Sequence, residues 1–239
     1  MSMKSNNELN DLFDYDYKII QNSEYFKFSI DSVLLAEFVD IKKGCKRVLD
    51  MCSGNAPVPL ILNKKYGDTL DIVGVEIQRE IYELGKMSIE YNKVENIEFI
   101  NKDIKDYVLE TRDKFDVVTC NPPYFKKSDN KILNNNEIKA IARHEITIDL
   151  DEVIRIAAKA LKNKGYFYLV HRAERLADIV NALKKYKFGL KRVQTIFDDA
   201  KSSCCFILID AIYNGEDYVK IDAPIFLKDY TSYKNIFRR

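Results

Sequence analysis

From about residue 45 onward, short apolar runs alternate with longer amphipathic stretches. The runs Arg47–Cys52, Asp71–Ile77, Ile97–Lys102, Phe115–Asn121 and Gly165–His171 are dense in Val, Ile, Leu, Phe or Tyr. The first, second and fourth show little alternation, which predicts strands covered on both faces. Two more strands are predicted at Gly189–Phe197 and Ser203–Tyr213. Helices are predicted at about 57–66, 78–92, 149–163 and 172–186. In the third, Leu150, Val153, Ile154, Ala157, Ala158 and Leu161 recur at helical spacing, with Asp149 as the cap and Glu152 three residues on. Strand–helix alternation of this kind predicts an α/β fold with a doubly wound, mostly parallel seven-stranded sheet. The last two strands follow one another across 198–202 without a helix, so an antiparallel C-terminal hairpin is expected at one edge. Residues 1–44 are acidic and contain one helical run, Ile30–Val39; they predict an N-terminal extension packed on a core of residues 45–239. The Asn-rich segment 126–142 is the most loop-like stretch, and long loops in compact domains are functional or disordered.

Composition narrows the class. With 46% hydrophobic, 12% aromatic and 31% charged residues in 239, the chain has ample material for a core and is not of disordered type. No apolar run approaches the roughly 18–20 residues that span a bilayer. The start, Met1 to Asn7, has no apolar leader segment, so a cytoplasmic location is expected. Five cysteines without a CxxC pair argue against a disulfide scaffold or a zinc site, and no metal is expected. A monomer is the expected state. The net charge of +1 means that a polyanionic partner requires a local basic patch.

In doubly wound sheets ligands sit at the carboxyl ends of the strands, where strand order reverses. The first strand ends in Asp50-Met51-Cys52-Ser53-Gly54-Asn55-Ala56-Pro57, a run of small residues that lets a ligand approach the backbone. Glu76 ends the second strand, 22 residues beyond Gly54, close to the spacing at which an acid reaches ribose hydroxyls. Asp103 follows the third strand and is placed to accept from an adenine amino group; Ile77 and Ile104 adjoin these two acids. A dinucleotide site wants G-x-G-x-x-G, but Cys52 and Ala56 replace two candidate glycines. Pro57 and Pro59 also remove N–H donors from the first helical turn, where a phosphate would need them. The residue before a proline is directed to extended geometry, which is the expectation for Ala56. A nucleoside cofactor without phosphate fits better, and S-adenosylmethionine is predicted.

The fourth strand runs into Asn121-Pro122-Pro123-Tyr124. Two consecutive prolines end the strand and lock the backbone. The Asn121 amide oxygen and the Pro122 carbonyl then form two acceptors aimed at one point, which is what a planar –NH2 group needs. Accepting both protons draws the nitrogen lone pair out of conjugation, and Tyr124 supplies a flat face for stacking. The chemistry that follows is in-line methyl transfer from a sulfonium to an exocyclic or amide nitrogen, catalysed by orientation and two hydrogen bonds.

With these residues in view, the chain resembles the class I, S-adenosylmethionine-dependent N-methyltransferases with an (N/D/S)PP(Y/F/W) motif. More narrowly, it is similar to the bacterial tRNA1(Val) (adenine-N6)-methyltransferase family. The likeness runs through Lys18–Gln21, Phe26–Ala36, Asp50–Asn55, the NPPY tetrad, Ala142–Glu145 and Val170–Leu176. It implies methyl transfer to N6 of an adenine in tRNA, at position 37 beside the anticodon of a valine tRNA. It implies that Asp50, Cys52 and Gly54 line the methionine side of the cofactor, Glu76 holds the ribose and Asp103 the adenine. Phe28 and Asp31 match a segment lying over the cofactor, while Asn121, Pro122 and Tyr124 present the target base. NPPY alone does not choose among adenine in RNA, adenine in DNA and glutamine in a protein, and a module that binds cofactor or RNA without turnover is the reading from a different class. The RNA reading draws on Lys126 and Lys127 after Pro123 and Phe125, on Arg143 and His144, and on 11 Lys/Arg against 2 acids over residues 155–192.

Overall fold

The computed structural model describes residues 6–23, 30–124 and 148–229. Five strands, β3 (Arg47–Met51), β4 (Asp71–Glu76), β5 (Ile97–Asn101), β6 (Phe115–Cys120) and β7 (Leu161–Arg172), pair in parallel in the order β7-β6-β3-β4-β5. The chain moves outward from β3 through β4 to β5, then returns to the other side of β3 with β6. That reversal places the switch point between β3 and β6, where a crevice opens at the carboxyl ends. Beyond β7 lie β8 (Phe188–Phe197) and β9 (Cys204–Tyr213), the expected hairpin, with β9 antiparallel to both β7 and β8 and inserted between them. The hairpin is not the outermost element. Two short strands, β10 (Lys220–Ile221) and β11 (Ile225–Phe226), pair in parallel with β8, so the seven long strands become a nine-stranded sheet.

Helices cover both faces. On one face α4 (Ile104–Glu110), α5 (Leu150–Ala160) and α6 (Leu176–Lys185) bury Val108, Val153, Ile154, Ala157, Ile179 and Leu183 against Leu49, Met51, Val73, Val118 and Phe167. On the other, α1 (Ile30–Phe38), α2 (Pro57–Tyr66) and α3 (Arg79–Tyr91) contribute to a cluster with Val48, Ile72, Val117 and Tyr168. Successive strand residues such as Val48 and Leu49 thus serve opposite cores, which is why the runs read as continuously apolar. Asp149 caps α5 through its side chain, accepting from the Glu152 N–H at 2.8 Å.

The N-terminal residues form an antiparallel pair, β1 (Asn7–Asp11) and β2 (Lys18–Asn22), ahead of α1. The free edge of β2 is satisfied by side chains of α3: Lys18 N–H donates to Asn92 Oδ1 at 2.8 Å and Ile20 N–H to Ser88 Oγ at 2.9 Å. Asn55, in the loop after β3, donates from Nδ2 to the Ile20 carbonyl at 2.9 Å. The N-terminal ribbon is thereby tied to the loop that forms the crevice.

Candidate active site

The carboxyl ends of β6, β3, β4 and β5 stand side by side and bring together Asn121, Asp50, Glu76 and Asp103. The loop after β3 makes a tight path, with positive φ at Cys52 (57°), Gly54 (57°) and Ala56 (70°). Ala56 therefore departs from the extended geometry expected before Pro57: it is left-handed, with φ 70° and ψ 32°. Two hydrogen bonds fix it there, Ala56 N–H to the Ser53 carbonyl at 3.0 Å and Leu60 N–H to the Ala56 carbonyl at 3.1 Å. Closure of the turn outweighs the local proline rule, at a cost of roughly 1–2 kcal/mol for a residue with a Cβ. A Cβ built on Gly54 would meet no atom within 4 Å, so the backbone there borders open space.

Of the three acids expected on the cofactor side, Glu76 and Asp103 are held by backbone donors. Glu76, 5% exposed, accepts from Gly54 N–H at 2.9 Å on one oxygen and from Gln78 N–H at 2.8 Å on the other. Burial raises its carboxyl above the ordinary value, and these N–H groups oppose the rise. Asp103 is the cap of α4, accepting from Lys105 N–H at 2.8 Å. Ile77 is exposed beside Glu76, whereas Ile104 is buried in the first turn of α4. Asp50, 2% exposed, accepts from Thr119 Oγ1 at 2.6 Å, and burial pushes it up to about 7. Cys52 is half-buried and Cys120, at the end of β6, is buried; burial, with Cys52 beside it, raises the Cys120 thiol well above its ordinary value.

Asn121 and Tyr124, expected on the target side, are held by side chains instead. Asn121 Nδ2 donates to Ser32 Oγ at 2.9 Å. The Tyr124 hydroxyl lies 2.6 Å from Asn121 Oδ1 and 2.7 Å from Asp31 Oδ2. One phenolic proton thus faces two oxygen acceptors. Burial, with the Asp31 carboxylate next in weight, holds the Tyr124 phenol well above its ordinary pKa, so it remains a neutral hydroxyl. The Tyr124 ring meets His171 edge-on, at 5.1 Å and 63°. His171 is buried, its Nδ1 accepts from Arg172 N–H at 2.9 Å, and burial lowers it to about 4. Pro122 is buried and Pro123 half-buried. Asp31 therefore sits against the NPPY tyrosine, and Ser32, which the sequence reading did not single out, holds the NPPY asparagine. Phe28, Phe125, Lys126, Lys127, Arg143, His144 and the loop 126–142 lie outside the described residues.

Five of the eleven cations in the basic run at 155–192 pair with carboxylates of the fold. Arg155 pairs with Glu152, Lys162 with Asp116, Arg175 with Asp178, Lys185 with Asp151 and Arg192 with Asp222. Lys164 and Lys191 donate to the carbonyls of Asn214 and Glu216. Arg172 differs: it is exposed, and its guanidinium lies 5.6 Å from the centroid of the Phe206 ring.

Sheet order, switch-point crevice and the NPPY end of β6 define a class I methyltransferase-like domain. The chain belongs to the methyltransferase domain family, whose model matches residues 41–221. It is 33% identical over 129 residues to a tRNA1(Val) (adenine(37)-N6)-methyltransferase of Haemophilus influenzae, a match covering 54% of each chain. The chain thus spans about half the length of that relative. A protein of the same name from Bacteroides thetaiotaomicron is 26% identical over 195 residues, covering 81% of this chain and 80% of the relative. Among solved structures, a predicted O-methyltransferase from Agrobacterium tumefaciens shares the fold with a TM-score of 0.63 at 21% identity, over 83% of this chain and 88% of that one.

Proposed function

We propose that this methyltransferase uses S-adenosylmethionine to methylate N6 of an adenine in tRNA, at position 37 beside the anticodon of a valine tRNA. The observation that carries the reading is the Asn121 amide oxygen at the end of β6: the single Tyr124 proton lies within reach of both Asn121 Oδ1 and Asp31 Oδ2, and given to Asp31 it leaves Asn121 Oδ1 as an acceptor for a ligand. Such a site is completed by a ligand that brings hydrogen-bond donors. A primary amine attached to a flat ring does so, and the relatives named above carry this activity in their names.

The residues present fit the cofactor. Glu76 and Asp103 at adjacent strand ends offer carboxylates for ribose and adenine, and Gly54 borders open space. Pro57 at the start of α2 withholds a donor that a phosphate would use. S-adenosylmethionine supplies a methyl group on a sulfonium, ready for in-line displacement. Asn121 Oδ1 and the Pro122 carbonyl accept the two amine protons, which frees the nitrogen lone pair to point at the methyl. Ser32 holds the Asn121 amide, and Tyr124 gives up its contact with Asn121 while keeping that with Asp31. The nitrogen that gains the methyl as the sulfur–carbon bond breaks to leave a neutral thioether becomes acidic, and its spare proton passes to solvent, so orientation and hydrogen bonding suffice without a strong base.

Transfer of labelled methyl from S-adenosylmethionine to total tRNA, followed by nucleoside analysis, tests this. N6-methyladenosine in the anticodon loop is expected. Label appearing in protein or DNA instead would replace the substrate assignment.

A further inference from the structure

On the side of Tyr124 away from the cofactor crevice, where β7 ends beside the start of β9, a cation and an aromatic ring continue the row from Tyr124. Arg172 and Phe206 are cross-strand partners at the end of β7 and the start of β9. The guanidinium lies 5.6 Å from the Phe206 centroid, and the Phe206 ring lies 5.9 Å from that of Tyr124 at 46°. Both rings are half-buried and Arg172 is exposed. Buried His171 anchors the row, packing against Tyr124 and accepting from the Arg172 N–H.

This arrangement plays no part in methyl transfer as derived above, yet it adjoins the point where the target amine is held. The other cations with named partners in the run spend their charge inside the fold; Arg172 takes a ring, and among the described residues its guanidinium makes no ion pair. A guanidinium stacked on an aromatic face keeps its outward N–H groups for phosphate while presenting a flat surface to a base.

We infer that Arg172 and Phe206 form the contact for the nucleotides flanking the methylated adenosine, with Arg172 on the phosphodiester and Phe206 continuing the stack begun by Tyr124. This rests on the tRNA reading and names the surface by which the strand is held. A peptide substrate has no phosphate and would leave the salt behaviour of Arg172 variants unchanged.

Fluorescence anisotropy of labelled tRNA, titrated at several salt concentrations between about 50 and 200 mM, tests the inference. Arg172→Gln should weaken binding about 5- to 10-fold and reduce the slope of log K against log salt by about one. Arg172→Lys should restore the slope, and Phe206→Ala should weaken binding several-fold with the slope intact. Lys162→Gln, at the other end of β7, should leave the slope at the wild-type value. Thermal melts of each variant separate loss of contact from loss of fold. An Arg172→Gln slope equal to wild type overturns the inference, whether or not tRNA is methylated. A reduced slope with no methylation of tRNA keeps this surface as an RNA contact and overturns the substrate assignment instead. Absence of tRNA binding by the wild-type protein overturns both.

Discussion

The two halves of the crevice are built on different principles. On the cofactor side, at the ends of β4 and β5, the acids are gripped by backbone: Glu76 by the N–H groups of Gly54 and Gln78, Asp103 by that of Lys105. On the target side, Asn121 and Tyr124 are held by side chains from α1, Ser32 and Asp31, and one proton serves two acceptors. Backbone contacts are set once the fold forms. Side-chain hydroxyls rotate and exchange partners at little cost. On the proposed function, the cofactor half is therefore preset, and the target half trades its internal contacts for those of an incoming amine.

The strongest way to break this contrast is Asn121→Ala. It should lower kcat about 10²- to 10³-fold, by analogy with removal of one preorganised hydrogen-bonding group, while cofactor affinity measured by calorimetry stays within about threefold of wild type, well under 1 kcal/mol. A large loss of cofactor affinity would mean that the two halves are not separable.

Titration sharpens the contrast, because buried groups in the two halves act with opposite sign. The fold keeps Asp50 protonated up to about 7, whereas the unfolded chain releases that proton near pH ~3.9. Between these values the folded state binds more protons, so the Asp50 contribution to stability is fully present below the lower value and lost as pH rises through the upper. His171 is lowered to about 4, against an unfolded value near ~6.5. Here the unfolded state binds more protons, and stability is lost as pH falls through that window. In unfolding free energy measured against pH, Asp50→Asn should remove a falling component and His171→Gln a rising one, each at most about 1.4 kcal/mol per pH unit. Variants with slopes identical to wild type would refute the assigned burial.

Smaller effects follow. Ser32→Ala strips the acceptor from Asn121 Nδ2, and loss of one hydrogen bond of about 1–1.5 kcal/mol should reduce kcat roughly 10-fold. The effect should fall on kcat rather than on the KM for cofactor, as steady-state assays will read. Ala56→Gly relieves a left-handed residue at some entropic cost, so thermal unfolding should show a gain of about 0.5–1 kcal/mol. A loss there would show that the Ala56 methyl packing outweighs the strain.

Much of the sheet was legible because β3 to β7 carry apolar runs dense enough to serve two cores, and α2 begins at Pro57, where proline is welcome in a first turn. The helix Ile104–Glu110 escaped because seven residues are too few to display a period. The strand Asn7–Asp11 escaped because NELND has almost no apolar content. Its pairing follows from β2, whose other edge is bound by Ser88 and Asn92 from 68 to 74 residues away. In the site, Asn121 and Tyr124 announced themselves through the double proline, while Ser32 did not. A serine inside an apolar helix has no local signature, and its contact with Asn121 spans 89 residues. The basic run was legible as a count only: lysines and arginines do not announce the carboxylates that fold against them, and five of the eleven have one.

The central claim is that the acceptors at the end of β6 receive the amino group of an adenine in tRNA. Incubating the protein with S-adenosylmethionine bearing a labelled methyl group and an unmodified valine tRNA transcript, then digesting to nucleosides for mass spectrometry, tests it directly. The account predicts label as N6-methyladenosine at the position 3′ of the anticodon, formed about 10²- to 10³-fold more slowly by the Asn121→Ala variant. Unlabelled adenosine there with the wild-type protein, or an Asn121→Ala initial rate equal to wild type, would contradict it.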